Sequence, residues 1–451
     1  MISSRAAPTQ RPAAAALPAP RRPTVARPAR RGGAAAAAAA AAGAAPPELD
    51  VAIAGAGPAG LAAAAALRRA DPSLRVGLFE RTPMTARGAG VLVGVNGLLA
   101  LNAINPAIVE GLLARAIKLE GSERYSCDTG EYLEFQQMPN DKFKDRYGFT
   151  NALLGWADIT AALQEQLPPG SVRSGAAVSG FERLPDGRLS VLGPAGAPLA
   201  TARALVGADG WFSALRGALR PGAEAPTFKE IVVWRARLPR RDEWLDNPGR
   251  TKWWVPAKQH PGSLLAVLIP VPGGDLVWQC HAPMSLMRER GLAFDPITGE
   301  GASSHSEGPR ARASDGAAAA SDGAKARCLR AFEGFPGLAR FLEVVEATPD
   351  DVITEHGLYQ HLPDQIPQGH WGSGMVTLAG DAAHTATVDG TGMAQAFEDA
   401  AVLGKHVQQS GLSEASLRAY EAERARRVRA VFSMANRHGG DGGGGGPAAA
   451  V

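Results

Sequence analysis

The sequence predicts an α/β protein in which a Rossmann-like, mainly parallel sheet carries an inserted, mainly antiparallel β-sheet domain. Three observations predict this fold class. Residues 51–80 read strand, glycine turn, helix and strand, which is the start of a βαβ unit. Residues 230–283 alternate aromatic and β-branched side chains between turn residues, as antiparallel strands do. An apolar strand at 375–378 then precedes two helices, so the first sheet is assembled from both ends of the chain.

The elements of the first sheet are predicted from short apolar runs bounded by glycine or charged residues. The predicted strands are 51–54, 75–79, 203–206 and 375–378. The predicted helices are 60–69, 157–167, one beginning near Met393, and 413–436. These elements place a first domain at 48–225 and 372–437 and a β-rich substrate domain at 226–371.

Three segments lack the apolar side chains that a packed core needs, and we expect them to be disordered. They are residues 1–47, the Gly/Ser/Ala-rich insertion 297–326, and the tail 438–451. Residues 1–47 contain seven arginines and no lysine or acidic residue, which favours a transit peptide; a plain basic tail is the alternative. These features alone leave chloroplast and mitochondrion open, and we expect a soluble chloroplast protein.

Charge and cysteine content exclude several function classes for the 451-residue chain. Removing the seven arginines of the leader from the net charge of +3 leaves −4, and the remaining basic residues are scattered, so we expect no nucleic-acid partner. Apolar runs such as 264–270 are far shorter than the ~18 residues of a membrane-spanning helix. Three separated cysteines without a CxxC pattern predict neither a disulfide framework nor a metal site. The oligomeric state is left open.

The first chemistry-bearing motif directly follows the first strand and reads Gly55-Ala56-Gly57-Pro58-Ala59-Gly60. The first glycine permits a tight turn, the second lets the backbone approach a diphosphate, and the third allows close packing of helix and strand. Proline suits the first helical turn, where no N–H is needed. Glu80 ends the second strand, where an acid binds a ribose hydroxyl pair. The motif therefore predicts a dinucleotide.

Two further motifs point to which dinucleotide is bound. One runs from Gly207 to Arg216 as GADGWFSALR, and the other reads Gly380-Asp381-Ala382-Ala383-His384 and continues through Gly390-Thr391-Gly392-Met393. Together with the glycine turn they resemble the single-component FAD-dependent monooxygenases, the group of salicylate hydroxylase, zeaxanthin epoxidase and p-hydroxybenzoate hydroxylase. The resemblance runs from about Val51 to Phe432.

The resemblance implies a GR2-type FAD-binding domain, with NAD(P)H as transient reductant and O2 as co-substrate. An aromatic or polyene small molecule, apolar or aromatic in character, would be hydroxylated or epoxidised through a flavin C4a-hydroperoxide. No side chain is assigned a catalytic role, because the flavin carries the chemistry. The implied FAD-binding residues are Gly55, Gly57, Pro58, Ala59, Gly60, Glu80, Arg81, Asp209, Arg216, Gly380, Asp381, Gly392, Met393 and Ala394.

The chain departs from the family pattern at three places near the expected flavin. The loop 385–390 lacks the usual proline, Ala394 replaces an asparagine, and Trp156 replaces an arginine. These departures leave open a reductase or oxidase of the same fold, or a flavin-binding protein without turnover. Without the resemblance, Asp209 and Asp381 would be read as turn-forming or helix-capping acids. His384 is expected to be structural. Trp234, Trp253, Trp254 and Trp278 are expected to pack the inserted sheet, with a substrate pocket lined by one or two of them as the alternative.

Overall fold

The computed structural model of the protein describes residues 46–82, 89–222, 225–256, 264–294, 323–385 and 391–439. Most of the leader, of the Gly/Ser/Ala-rich insertion, of the proline-free loop and of the C-terminal tail lies outside these described residues. In the described ranges, no helix combines the length and the apolar character that crossing a bilayer requires.

The strands and helices are numbered here in chain order. The strands are β1 (Glu48–Ala54), β2 (Val76–Glu80), β3 (Gly90–Val93), β4 (Gly121–Ser126), β5 (Tyr132–Gln137), β6 (Ala152–Gly155), β7 (Val172–Ser174), β8 (Gly180–Arg183), β9 (Leu189–Leu192), β10 (Pro198–Gly207), β11 (Thr227–Pro239), β12 (Arg250–Val255), β13 (Leu265–Val271), β14 (Asp275–Pro283), β15 (Thr354–Gln360) and β16 (Val376–Leu378). The helices are α1 (Pro58–Ala70), α2 (Val95–Ile104), α3 (Pro106–Arg115), α4 (Asn140–Tyr147), α5 (Trp156–Gln164), α6 (Ala214–Leu219), α7 (Met284–Glu289), α8 (Ala324–Ala331), α9 (Ala339–Ala347), α10 (Asp381–His384), α11 (Thr391–Ser410) and α12 (Glu414–Gly439).

The first sheet aligns four strand ends at one edge. Its order is β7-β2-β1-β10-β9-β8, with β16 also pairing β10. The pairs β2–β1, β1–β10 and β10–β16 are parallel, and they bring Phe79, Ala54, Gly207 and Leu378 into one row across the sheet. Because loops that follow the carboxyl ends of neighbouring parallel strands meet at the same edge, this edge is the expected place for a ligand.

The second sheet has the order β15-β11-β14-β13-β12-β4-β5 and is antiparallel except where β12 pairs β4. This pairing corrects one boundary: residues 121–137, which the sequence places with the first domain, form two strands of the second sheet. Their alternation of polar and apolar residues is too weak to reveal a partner so distant in the chain, and only the pairing with β12 assigns them.

The two faces of the second sheet differ. The outer face packs against α7, α8 and α9 and buries a core that includes Trp234, Trp254 and Trp278, as the sequence predicts for these three tryptophans. The fourth, Trp253, is half-buried and lies outside this core. The other face, called the inner face below, carries the alternate residues of β11, β13, β14 and β15. It lies against the ribbon of β3 and β6, where a Cβ on Gly90 would come within 2.7 Å of Ile269 Cγ2.

The predicted insertion 297–326 extends too far at its C-terminal end. Helix α8 begins at Ala324, and the Asp350 side chain accepts a hydrogen bond from the backbone N–H of Lys325 at 2.8 Å. Buried Cys328 and Ala331 then place this helix against the outer face of the second sheet. The composition of residues 323–326 conceals a helix whose start is stabilised by a side chain 25 residues away.

Candidate functional site

Glycines shape the turn between β1 and α1. Gly55 has a φ of +97°, and a Cβ there would lie 2.2 Å from the carbonyl oxygen of Ala208, so only glycine fits. A Cβ on Gly60 would lie 2.1 Å from the carbonyl oxygen of Gly55, because α1 starts this close to the turn. Gly57 faces open space, and the nearest atom to an added Cβ is in the Trp156 ring at 4.0 Å. The turn therefore leaves room over the start of α1.

The N-terminal end of α1 can receive an anion. Pro58 occupies the first turn, Ala59 follows it, and neither has a polar side chain. In the part of the chain that the structure describes, no side chain caps this helix and its first turn has no acid. Free backbone N–H groups and the positive end of the helix dipole therefore meet the room over Gly57. This combination suits a diphosphate.

Glu80 ties the end of β2 to the same turn. Its Oε2 accepts a hydrogen bond from the backbone N–H of Ala56 at 2.9 Å. Its Oε1 accepts bonds from the backbone N–H and the hydroxyl of Thr82, both at 3.0 Å. Arg81 is exposed beside it. The carboxylate of Glu80 therefore lies next to the glycine turn, where an acid that binds ribose is expected.

The carboxylate of Asp209 is engaged within its own loop. It accepts hydrogen bonds from the Ser213 hydroxyl at 2.6 Å and from the backbone N–H groups of Ala214 at 2.8 Å and Leu215 at 3.3 Å. Burial raises the pKa of Asp209, and these donors oppose the rise. Asp209 therefore holds the loop that follows β10 and the start of α6.

Arg216 joins this loop to α10. Its guanidinium donates to the carbonyl oxygens of Trp211 at 2.5 Å, Ala382 at 3.0 Å and Asp381 at 3.4 Å. Burial lowers the pKa of Arg216, while Asp209 and Asp381 raise it. In the opposite direction, the indole N–H of Trp211 donates to Asp381 Oδ2 at 2.5 Å. The second and third motifs are thus locked together around Asp381.

Gly380 brings the third motif to the first. Its φ is +60°, and a Cβ on it would lie 2.8 Å from the Cβ of Ala59 in the first turn of α1. Its backbone N–H donates to Asp399 Oδ2 at 2.7 Å. The glycine turn, the loop after β10 and the start of α10 therefore form one contiguous cluster at the edge of the first sheet.

A buried cluster of charged side chains holds α10, α11 and α12 together next to this site. Asp399 of α11, with no exposed surface, also accepts bonds from His384 Nε2 and Arg424 Nε, both at 2.7 Å. Burial alone would raise the pKa of Asp399, but His384 and Arg424 hold it below its ordinary value. Arg424 additionally pairs with Glu398 at 2.6 Å. His384 is therefore structural here, as expected from the sequence.

The start of α11 completes the cluster. Gly392 and Met393 are half-buried, whereas Ala394 is buried against Gly97 of α2, with 3.3 Å between Ala394 Cα and an added Cβ. The predicted proline-free loop falls mostly outside the described residues. Its first residue, Thr385, is held by His361: the Thr385 N–H donates to His361 Nδ1 at 2.8 Å, and the His361 N–H donates to the Thr385 carbonyl oxygen at 2.9 Å.

We expect the stability of the protein to fall in mild acid because of two buried histidines. Burial lowers the pKa of both His281 and His361 from 6.5 to about 3. In the unfolded chain they regain ordinary pKa values, so the unfolded state binds more protons below pH 6.5. The stability that comes from keeping them neutral is complete above pH 6.5 and is lost as the pH falls toward 3. Together they should lower the free energy of unfolding by about 3 kcal/mol between pH 6.5 and about pH 5.

Urea unfolding at a series of pH values measures this effect. His361→Gln should lose about half of the pH dependence in that range, because only one histidine then titrates. An equal free energy of unfolding at pH 6.5 and pH 5 would contradict the role of the two buried histidines. So would a pH dependence in His361→Gln as steep as in the native protein.

Sequence reasoning missed three contributors to the site. Trp211 lies within the second motif, yet only the fold brings its indole N–H to Asp381. His361 and Arg424 carry no local signal, because their partners lie 24 and 25 residues away in the chain. Within the described ranges, no group of three or more histidine, cysteine or acidic residues is arranged to hold a metal ion.

Comparison with known proteins gives consistent matches. A family model described as "FAD binding domain" matches residues 364–435. The chain is 30% identical over 402 residues to 3-amino-4-hydroxybenzoate 2-monooxygenase PtmB3 of Streptomyces platensis, covering 86% of this chain and 87% of that protein. A shorter stretch of 122 residues is 34% identical to the chloroplastic zeaxanthin epoxidase of Nicotiana plumbaginifolia, covering 25% of this chain and 18% of that protein.

The fold also matches solved structures. Klebsiella pneumoniae HpxO, crystallised with FAD and uric acid, superposes with a TM-score of 0.66 at 23% identity. The match covers 86% of this chain and 87% of that one. It shows that both sheets and their connection follow a known arrangement.

Proposed function

Because this chain belongs to the FAD-dependent monooxygenases, we propose that it is an aromatic hydroxylase whose substrate lies between the carboxyl edge of the first sheet and the inner face of the second. FAD is its cofactor, NAD(P)H is its reductant, and O2 supplies the inserted oxygen atom. The meeting of the glycine turn, Glu80 and Asp381 at one edge of the first sheet carries the proposal. The aromatic substrate named for the Streptomyces relative supports the substrate class.

The residues at this edge fit FAD. The open space over Gly57 and the uncapped start of α1 suit a diphosphate, and the Glu80 carboxylate suits a ribose hydroxyl pair. The half-buried Asp381 carboxylate at the sheet edge supports a role in binding the ribityl hydroxyls, and the N-terminal end of α11 supports a role at the pyrimidine edge of the flavin. The residues proposed for these roles are Gly55, Gly57, Pro58, Ala59, Gly60, Glu80, Arg81, Gly380, Asp381, Gly392, Met393 and Ala394.

The remaining motif residues act by positioning. FAD, when bound, supplies the electron transfer and the activation of oxygen. Asp209 fixes the start of α6, and α6 carries Arg216. Arg216 in turn holds the backbone of α10, so that the Asp381 carboxylate stays at the edge of the sheet. The second sheet adjoins this cluster through His356, whose ring centroid lies 5.6 Å from that of Trp211, and a sheet at that position would limit the access of water.

Replacing Asp381 by alanine tests the third motif. Asp381→Ala removes the acceptor of the Trp211 indole N–H and the half-buried carboxylate at the sheet edge. We expect FAD to bind at least ~10-fold more weakly, about 1.4 kcal/mol, when measured by equilibrium dialysis. Asp381→Asn keeps an acceptor and should lose less. Equal FAD affinity in all three proteins would remove Asp381 from the proposed site.

The activity itself is tested with isotopic oxygen. The purified, FAD-loaded chain should oxidise NAD(P)H faster in the presence of an aromatic substrate, and ¹⁸O from ¹⁸O2 should appear in the product. H2O2 formation without labelled product would indicate a reductase or oxidase of the same fold. Bound flavin without NAD(P)H oxidation would indicate a flavin-binding protein. A labelled epoxide formed from a polyene substrate would show that the reaction is epoxidation rather than hydroxylation.

The domain organisation belongs to the same proposal. The FAD-binding domain would comprise residues 48–225 and 372–437, less residues 121–137, which pair with the second sheet. Residues 226–371, with 121–137 added, would form the substrate domain. Limited proteolysis with and without FAD tests this division, because FAD should protect the first set of segments more than the second.

The N-terminal segment is proposed to direct import into a chloroplast. Its arginine-rich, acid-free composition and the chloroplastic relative support this proposal. A fusion of residues 1–47 to a fluorescent protein in plant cells tests it. Mitochondrial fluorescence would show that the segment directs import into mitochondria instead. Diffuse cytosolic fluorescence would show that residues 1–47 are a basic tail without a targeting role.

A further inference from the structure

A cavity of about 290 Å³ lies between the end of α6, the segment that follows β15, and α10. His361, Trp371 and Leu378 form its buried wall, and the exposed side chains of Arg220 and Asp364 lie at its mouth. Within the described ranges, none of the residues that line it is among those proposed to contact FAD. Its volume is at the small end of ligand pockets, which span ~300–1,000 Å³. The cavity therefore has room for a small molecule but not for a dinucleotide.

The His361 ring brings an unused hydrogen-bond donor to this cavity. Its Nδ1 accepts a bond from the backbone N–H of Thr385 at 2.8 Å, so Nδ1 carries no proton. Burial, Arg216 and His384, in that order, lower the pKa of His361 to about 3, so the ring is neutral and its proton is on Nε2. In the part of the chain that the structure describes, nothing accepts a bond from this Nε2–H, although His361 is only 2% exposed.

A buried donor without an acceptor is uncommon in proteins, because leaving it unpaired costs free energy. The stability of the fold does not require this donor to face the cavity. The other two polar groups of the residue are already satisfied, since Nδ1 and the backbone N–H of His361 both bond to Thr385. The free Nε2–H therefore points to a ligand with an acceptor group.

The charge around this donor is positive. The guanidinium of Arg216, which also lines the cavity, donates to backbone carbonyl oxygens and has no carboxylate at ion-pair distance among the described residues. Arg220 and Asp364 likewise form no ion pair with any residue that the structure describes, nor with each other. Two arginines and one aspartate leave a net charge of about +1, which one negative charge would balance.

The rest of the wall is apolar. The indole N–H of Trp371 is already donated to the carbonyl oxygen of Leu378 at 2.9 Å, so the Trp371 ring offers only its hydrocarbon surface. The side chains of Leu378, Ala383 and Pro367 add to this surface. A ligand that fills the cavity therefore needs a hydrocarbon part as well as an acceptor.

We propose that this cavity binds a small aliphatic acid, whose carboxylate accepts a hydrogen bond from His361 Nε2 and whose hydrocarbon chain lies against Trp371 and Leu378. Arg216 and Arg220 stabilise the carboxylate by their charge. Asp364 at the mouth disfavours a second negative charge, so a monocarboxylate fits better than a phosphate. The site goes beyond the proposed function, because its ligand is neither the cofactor nor the aromatic substrate.

Isothermal titration calorimetry on the FAD-loaded full chain tests this site. The probe is hexanoate, hexanamide is its neutral counterpart of similar shape, and inorganic phosphate is an anion without a hydrocarbon chain. Hexanoate should bind at least ~10-fold more tightly than either of the others, because only hexanoate matches both the donors and the apolar wall. Equal affinities for hexanoate and hexanamide, or phosphate binding as tight as that of hexanoate, overturn the proposal.

Two substitutions of His361 separate the roles of its ring nitrogens. In His361→Asn the side-chain amide lies near the position of Nδ1 and can still accept from Thr385, but the donor at Nε2 is lost. In His361→Gln the longer side chain places its amide near the position of Nε2 and keeps a donor there. Hexanoate should bind about 10-fold more weakly to His361→Asn, because a hydrogen bond to a charged group is lost, and His361→Gln should lose less. The same affinity in His361→Asn as in the native protein overturns the proposal.

The exposed residues at the mouth give a test that does not disturb the fold. Arg220→Met should weaken hexanoate binding by about 3-fold, and Asp364→Asn should strengthen it, because each alters an exposed charge next to the carboxylate. Arg426→Met is the matched control, since Arg426 is an exposed arginine of α12 that does not line the cavity, and it should leave the affinity unchanged. Unchanged affinity in both mouth variants, or an equal loss in Arg426→Met, overturns the proposal.

Failure of this site and failure of the proposed function are distinguishable, because the titration needs neither NAD(P)H nor O2. A chain that inserts oxygen but binds hexanoate and hexanamide equally keeps the function and loses the carboxylate site. A chain that prefers hexanoate but never labels a product keeps the carboxylate site and loses the hydroxylase assignment.

Discussion

Gly57→Val is expected to abolish the retention of FAD while leaving the chain folded. The backbone at Gly57 has φ −70° and ψ 179°, which a β-branched residue adopts without strain. The added isopropyl group would nevertheless fill the room over the start of α1, where the nearest atom to a Cβ is now 4.0 Å away. Since a diphosphate needs that room, the affinity for FAD should fall at least ~100-fold, about 2.8 kcal/mol.

The flavin-to-protein ratio after gel filtration and the free energy of unfolding of the apoprotein measure the two halves of this prediction. Gly369→Val is the control, because Gly369 is exposed, has no positive φ, and has no atom within 4 Å of an added Cβ. If the Gly57→Val protein retained stoichiometric flavin after gel filtration, the diphosphate would have to bind somewhere other than the start of α1.

Asp399→Ala is expected to give the largest loss of fold stability. Asp399 is fully buried and accepts hydrogen bonds from Gly380, His384 and Arg424. Its removal leaves the buried Arg424 guanidinium with only part of its partners and releases the Gly380 N–H. Breaking a buried ion pair on one side costs about 3–5 kcal/mol. We therefore expect that loss in the free energy of urea unfolding, together with weaker FAD binding, because Gly380 lies against α1.

Glu423→Ala provides the matched comparison for Asp399→Ala. Glu423 also bridges α11 and α12, through Lys405 and His406, but these side chains are more exposed. Because solvent screens such pairs, the loss should stay below about 1 kcal/mol. Comparable losses in the two variants would show that the buried cluster contributes no more than a surface pair.

The sequence predicts most of the first sheet because its signals are local. The strand, glycine turn and helix of 51–69 lie within one short segment, and in the structure α1 runs from Pro58 to Ala70. The sequence does not assign residues 121–137 to the correct sheet, because their signal is not local: the partner of β4 is β12, more than 100 residues later. Amphipathic strands of this kind reveal that they pair, but not with which strand.

The candidate site shows the same division. The three motifs can be recognised in the sequence because the spacing of their glycines and acids reflects the backbone conformation of one short segment. The motif does not reveal that the carboxylate of Asp209 holds its own loop, whereas that of Asp381 lies at the sheet edge. That difference depends on Trp211 and Arg216, whose partners come from the far end of the chain.

From its order of residues alone, this protein's dinucleotide turn, its mixed α/β class and its resemblance to flavin-dependent oxygenases could be established. Those properties depend on neighbours in the chain and on backbone conformations that few residue types allow. The three-dimensional arrangement decided which sheet residues 121–137 join, that Asp209 holds its own loop whereas Asp381 lies at the sheet edge, and that Arg235, His281 and His356 share one face of the second sheet. These outcomes depend on contacts between distant segments, because side chains in adjacent strands share a face only once the strand register is set.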